Sequence, residues 1–210
     1  MPDSLPELRY LIESGLSGAD PLARYLAGDC PLSIGRCCGR IVGLADDIDV
    51  AAERGPFAGR EGHLDAPFKP TPAPLVERML DLAGVGPGDR LIDLGCGDGR
   101  IVIAAARRGA CACGIEIDPA RIAEAESAAQ AASVGDRVRF EQGDLFAVEL
   151  GAFSVVTLFL LPTVNRWLEG KLRRELREGT RVVGYAFPMP NWAPAAREEH
   201  EWQPIYLWVR

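Results

Sequence analysis

Apolar residues fall along this chain in two rhythms. In the first part Leu5, Leu8, Leu11 and Ile12 recur at helical spacing, and Leu22, Tyr25 and Leu26 do so again behind the helix-start pair Asp20-Pro21. That pattern predicts short amphipathic helices. Residues 55–74 are rich in Gly and Pro and predict a loop. From Pro74 onward helical patterns alternate with short apolar runs. Residues 75–83 read as a helix ended by Gly84, RLIDL at 90–94 as a strand, and 100–108 as a helix. A second strand covers 110–117, after which Asp118-Pro119 supplies an N-cap and a first-turn proline for a helix to about Ser133. Strands follow at 137–142 and 154–161, a helix at 165–177, a long strand at 180–187, and IYLWV at 205–209.

Strands alternating with helices specify a parallel sheet with helices on both faces, and the continuous apolar runs among the strands fit burial on both sides. The expectation is a doubly wound α/β domain over residues 67–210, preceded by a small helical cap or arm over residues 1–66. In such sheets ligands lie at the carboxyl ends of the strands, near the point where the strand order reverses.

Charge and composition narrow the function classes. The 210 residues carry 23 Lys and Arg against 30 Asp and Glu, a formal net charge of −7. That balance argues against extended nucleic-acid binding through a broad basic face. Residues 1–66 are the more acidic part, with eleven acids against six bases. No apolar run approaches the ~20 residues of a membrane-spanning helix, so no membrane insertion is expected. The N-terminus lacks the basic start and apolar stretch of a secretory signal, which places the protein in the cytoplasm with reduced thiols. The six cysteines (Cys30, Cys37, Cys38, Cys96, Cys111, Cys113) include no C-x-x-C pair and are accompanied by only two histidines, so no metal site is expected. Cys111 and Cys113 are two apart in a strand and should share one face as small buried side chains.

The chemistry sits at the strand ends. After the first strand comes Asp93-Leu94-Gly95-Cys96-Gly97-Asp98-Gly99, opening directly into a helix. Glycines there let the backbone turn sharply and approach a ligand, and the helix start adds free N–H groups. The second strand ends at Glu116, seventeen residues beyond Gly99, where a carboxylate can accept from both hydroxyls of a ribose. The third is followed by Asp144 and Leu145, so an adenine amino group could donate to a third carboxylate. Dinucleotide enzymes favour G-x-G-x-x-G, whereas here an acid stands two before G-x-G-x-G.

The latter spacing resembles motif I of the class I S-adenosylmethionine (SAM) dependent methyltransferases, and the likeness extends over about 67–210. Phe68-Lys69-Pro70-Thr71-Pro72, LGCGDGRIVIAAA, TLFLLPTVN, FPMPNW from Phe187 and the closing YLWV look like one subgroup. It contains bacterial methyltransferases and the lysine methyltransferases that modify the ATP synthase c-subunit and the adenine nucleotide translocase. The resemblance implies a seven-stranded Rossmann-like sheet and SAM as cosubstrate. It also implies that Gly95, Gly97 and Gly99 border the methionine part, Asp93 orients its amino group, and Thr71 reaches its carboxylate. Glu116 would take the ribose hydroxyls and Asp144 the adenine amino group, with Leu145 against the ring.

Methyl transfer from a sulfonium is an in-line displacement, so the protein supplies alignment and a dry site. Many nitrogen methyltransferases carry an Asp or Asn followed by Pro-Pro and an aromatic after the fourth strand. This chain has Phe159-Leu160-Leu161-Pro162-Thr163-Val164-Asn165 instead. An apolar point of attack suits a lysine, whose pKa falls on desolvation. Phe159, Pro162, Asn165, Phe187 and Trp192 are the candidate acceptor pocket, and no general base is named. The same residues have a plain structural account, with Phe159 buried in the sheet and Trp192 packing the last hairpin. Helix 165–177 is expected to show a solvated charged face with i,i+4 pairs such as Lys171 and Glu175. The reading is thus a SAM-dependent methyltransferase acting on a protein lysine. Alternatives left open are a small-molecule N- or O-methyltransferase, a non-catalytic SAM- or nucleotide-binding regulatory module, and an NAD-dependent oxidoreductase.

Overall fold

Apolar runs too short for helices and too continuous for surface strands have one favourable arrangement, a sheet buried on both faces. The computed structural model describes residues 67–200 and 203–210, and shows such a sheet. Its elements in chain order are α1 (Ala73–Leu82), β1 (Arg90–Leu94), α2 (Arg100–Arg107), β2 (Cys111–Glu116), α3 (Pro119–Ala131), β3 (Val138–Gln142), a 3-10 turn (Leu145–Ala147), β4 (Val155–Leu158), α4 (Pro162–Glu175), β5 (Arg181–Tyr185), β6 (Ala196–Glu198) and β7 (Ile205–Val209). The helices expected within residues 1–66, the cap or arm they would form, and Cys30, Cys37 and Cys38 lie outside the described residues.

The seven strands stand in the order β3-β2-β1-β4-β5-β7-β6. β1 to β5 run parallel, and β7 is antiparallel to both β5 and β6. The order reverses between β1 and β4, so the carboxyl ends of these two strands and of β2 frame the crevice where ligands of such sheets lie. Alternate strand residues feed two cores. Leu91, Ala112, Val155 and Val183 pack under α1, α2 and α3. Ile92, Cys113, Val156 and Val182 pack under α4 and the segment from Phe146 to Phe153. Cys111 and Cys113 both belong to this second core, as their spacing requires. Among the described residues no helix is long and apolar enough to cross a membrane.

Local signals act as expected at α3, where the Asp118 carboxylate accepts from Ala120 N–H at 2.8 Å and Pro119 occupies the first turn. Elsewhere the boundaries move. β4 ends at Leu158 rather than 161, because its partner β1 ends opposite it at Leu94, where the glycine turn begins. α4 then begins at Pro162, where the missing N–H costs no helical hydrogen bond, rather than at Asn165. β5 stops at Tyr185, before Ala186 adopts φ 71°. The seventh strand, β6, is three residues on the sheet edge, too short to carry a period-2 pattern.

Lys171 corrects the expectation of a solvated face on α4. It forms the expected pair with Glu175, 2.6 Å away, but its side chain is completely buried. Burial is tolerated because the ammonium is paired and the other Glu175 oxygen accepts from Leu150 N–H at 3.3 Å.

Candidate active site

The turn after β1 is built by contacts to β2. Gly95 and Cys96 N–H both donate to the Ile115 carbonyl at 3.0 Å, and Gly97 N–H donates to Glu116 Oε2 at 3.0 Å. The other oxygen, Glu116 Oε1, accepts from Ile117 and Asp118 N–H at 2.8 and 3.1 Å. Glu116 is thereby fixed by three backbone donors. Since each carboxylate oxygen can accept two hydrogen bonds, Oε2 keeps capacity for a ligand hydroxyl.

Gly97, at φ 52°, takes a conformation that L side chains rarely adopt, and a Cβ there would run into the ring of Phe68. Phe68 is 40% exposed and lies under the Arg121 guanidinium, 4.2 Å from the ring centroid. Arg100 secures the same segment from the other side, its Nη1 donating to the Thr71 carbonyl at 2.8 Å while Nε and Nη2 grip Asp98. Residues 67–72 are thus strapped onto the start of α2 and form one wall of a cavity.

That cavity gathers most of the candidate cofactor residues. Thr71, Asp93, Gly95, Gly97, Glu116, Asp144 and Leu145 all line it. Gly99 does not. It caps α2 at φ 76° from behind the cavity, where a Cβ would stand 2.6 Å from Phe140 Cζ and 2.8 Å from Ala125 Cβ. Asp144 has a structural task as well, since its Oδ1 accepts from Phe146 N–H at 2.9 Å and starts the 3-10 turn.

Asp93 is the electrostatic centre of the site. It is 3% exposed, and Thr157 Oγ1 on β4 donates to its Oδ1 at 2.6 Å. Burial pushes its carboxyl up to about 7, against the lowering effect of the Thr157 hydroxyl and with the help of the Glu116 and Asp98 charges. The thiol of Cys96 is driven well above its ordinary value by burial and by the Asp93 and Glu116 charges, which leaves it unreactive. Asp98 is held below the usual carboxylate range by Arg100.

The candidate acceptor residues divide. Phe159 lines the cavity with Leu160 and Val164, and its ring lies 4.7 Å from that of Tyr185. Pro162, Asn165, Phe187 and Trp192 are not among the lining residues. Pro162 is exposed at the start of α4, and Asn165 is fully buried behind it, donating through Nδ2 to the Phe187 carbonyl at 3.1 Å. Trp192 packs on the second core with its ring 6.4 Å from Trp208, whose Nε1 donates to the Trp192 carbonyl at 2.8 Å. The plain structural account holds for it because the last hairpin needs an apolar cover. Phe68, Arg100, Arg121 and Thr157 are site residues that periodicity did not single out.

The family described as the ANTKMT methyltransferase domain matches residues 93–196. A protein-lysine N-methyltransferase of Saccharolobus islandicus (strain REY15A) is 44% identical over 130 residues, covering 61% of this chain and 81% of that protein. The Homo sapiens lysine N-methyltransferase of the ATP synthase c-subunit is 37% identical over 128 residues, covering 61% of this chain and 54% of that one. The chain therefore spans only about half the length of that human relative. A solved structure described as an RNA methyltransferase from Salinibacter ruber in complex with S-adenosyl-L-homocysteine is 49% identical, with a TM-score of 0.66, and covers 67% of this chain and 93% of that one. Three strand-end carboxylates around one cavity agree with a SAM site, and on these likenesses the chain belongs to the ANTKMT methyltransferase-domain family of SAM-dependent methyltransferases.

Proposed function

We propose that this methyltransferase transfers the methyl group to a lysine nitrogen of a polypeptide. SAM supplies an activated methyl on a sulfonium. In the proposed arrangement Asp93 receives the methionine amino group, Thr71 its carboxylate, and Gly95 and Gly97 border that part. Glu116 takes the ribose hydroxyls through the open capacity of Oε2, Asp144 the adenine amino group, and Leu145 lies against the ring.

One observation carries the acceptor assignment. Phe159, Leu160 and Val164, which follow β4, give the cavity an apolar part of its lining, and in the proposed arrangement the sulfonium faces it. Among the described residues the lining includes no Asn or Gln to meet a planar base nitrogen, whereas an apolar surface desolvates a lysine ammonium and favours the neutral nucleophile. The likeness to a protein-lysine N-methyltransferase along 81% of that relative supports the same acceptor. The likeness to a protein described as an RNA methyltransferase favours a second acceptor, RNA, against which stands the formal charge of −7. The cytoplasm is the proposed compartment, which the reduced thiol of Cys96 suits.

The test is transfer of labelled methyl from SAM into a lysate of the source organism, with Glu116→Ala as control. Label in a discrete polypeptide, removed by protease and lost in the variant, supports the proposal. Ribonuclease-sensitive label moves the acceptor to RNA, and label confined to small molecules moves it to a metabolite.

A further inference from the structure

β1 and β4 lie in parallel register with Asp93 opposite Thr157. Thr157 is fully buried in VVTL, where its neighbours Val155, Val156 and Leu158 are apolar and fully buried too. A valine has nearly the same shape, so packing alone gives no reason for a hydroxyl there, and a buried hydroxyl without a partner is costly. The partner is Asp93 Oδ1 at 2.6 Å, with the Ile92 carbonyl further off at 3.5 Å.

We propose that Thr157 is a positioning residue for cosubstrate binding, its hydroxyl fixing the rotamer of the Asp93 carboxylate and keeping it in the form that accepts from the methionine amino group. The inference rests on the assignment of Asp93 to that amino group. The groups facing Asp93 make the help necessary. Glu116 at the end of β2 and Asp98 in the glycine turn are both acids that oppose its ionisation, and the nearby Cys96 thiol stays neutral. Lys69, Arg100 and Arg121 also line the cavity; Arg100 is engaged by Asp98 and the Thr71 carbonyl and Arg121 by Phe68 and Glu124, and no cation lowers the Asp93 carboxyl. Thr157 is therefore the side-chain donor, among the described residues, that favours the charged form of Asp93. Its position on β4, directly before the Phe159-Leu160 wall, also couples the aim of Asp93 to the strand that carries the acceptor side.

The experiment measures S-adenosyl-L-homocysteine binding by calorimetry from pH 6 to 9 for the wild type, Thr157→Val, Thr157→Ser and Asp93→Asn. Thr157→Val is expected to weaken binding about tenfold at pH 7, to move the pH midpoint of binding upward, and to regain part of the loss at pH 9. Thr157→Ser is expected to stay within twofold of the wild type. In turnover the KM for SAM rises while kcat changes less than twofold. Wild-type binding in Thr157→Val, or a loss equal at every pH, overturns the proposal. If Asp93→Asn weakens binding while Thr157→Val does not, the role of Thr157 alone falls. If Asp93→Asn binds like the wild type, the assignment of Asp93 falls and takes Thr157 with it. Should Thr157→Val not fold, Thr157→Ala removes the same hydroxyl and is judged by the same two criteria.

Discussion

Glu116 Oε2 accepts from Gly97 N–H at 3.0 Å, across nineteen residues of sequence, so the carboxylate proposed to take the ribose is also the clamp on the glycine turn. Removing it disturbs both roles at once. In Glu116→Ala the N–H groups of Gly97, Ile117 and Asp118 lose a charged acceptor, and hydrogen bonds of that kind contribute about 1.5–3 kcal/mol each, less where water reaches the freed donor. We expect S-adenosyl-L-homocysteine affinity to fall at least tenfold, with a Tm loss of several degrees in the ligand-free protein. Calorimetry and thermal unfolding on the same sample check both.

Gly99, at the start of α2, is tightly packed and is not among the residues lining the cavity. Gly99→Ala places a methyl at φ 76° within 2.6 Å of Phe140 Cζ and 2.8 Å of Ala125 Cβ, so a neighbour must shift. Left-handed strain of about 1–2 kcal/mol adds to overpacking of about 1–3 kcal/mol. The urea midpoint should drop accordingly. Affinity measured on the folded fraction should change much less than in Glu116→Ala.

Asp93 gives opposite pH signs for binding and for stability. Its folded-state value of about 7 against an ordinary 3.8 means that between these pH values the folded protein holds a proton which the unfolded chain has released. This group's contribution to stability therefore falls as pH rises from about 4 to 7 and is level above that. Ligand affinity runs the other way, rising up to tenfold per pH unit below 7 as the carboxylate becomes available to the amino group, then levelling off. Asp93→Asn should raise the ligand-free Tm at pH 8 but not at pH 4, by a stabilisation on the order of a few kcal/mol. It should also abolish the slope in binding.

Trp192 distinguishes a wall of the acceptor pocket from a cover of the hairpin. Because it rests on Trp208 and the second core, Trp192→Ala should cost about 2–4 kcal/mol in chemical denaturation. Its KM for SAM should stay within twofold of the wild type. Phe159→Ala, which opens the cavity wall itself, should instead depress kcat for the methyl acceptor.

The parallel half of the fold was legible because each strand there carries apolar residues in a short run and each is followed by a polar or glycine signal. RLIDL before G-x-G-x-G, CACGIE before Asp118-Pro119, and VRFEQ before Asp144 all have that form. The acceptor side was less so. TLFLL continues apolar past the sheet because Phe159 and Leu160 stay packed on the two cores after β1 has ended opposite Leu158, and hydrophobicity does not record where pairing stops. Trp192 and Phe187 looked like pocket aromatics only because a sequence does not say which apolar surface they face. Thr157 did leave a trace, a single hydroxyl inside an apolar strand, which gains meaning once the register sets it against Asp93. Phe68 and Arg121 are 53 residues apart, and their stacking is a tertiary fact.

The position of β7 bears on the order in which the protein is made. β6 leaves the ribosome before β7, yet its place is outside β7, the neighbour with which it pairs in the sheet. β1 and β2 can pair as they emerge, β3 joins β2 at the outer side, and β4 and β5 extend the other side in order. β6 must wait for Ile205–Val209 to insert beside β5. A nascent chain stopped before residue 205 thus contains every residue of the carboxylate-lined crevice while one flank of β5 is still bare. The crevice can assemble during translation, and the bare edge of β5, open to wrong pairing until then, is closed by β7, which arrives after β6.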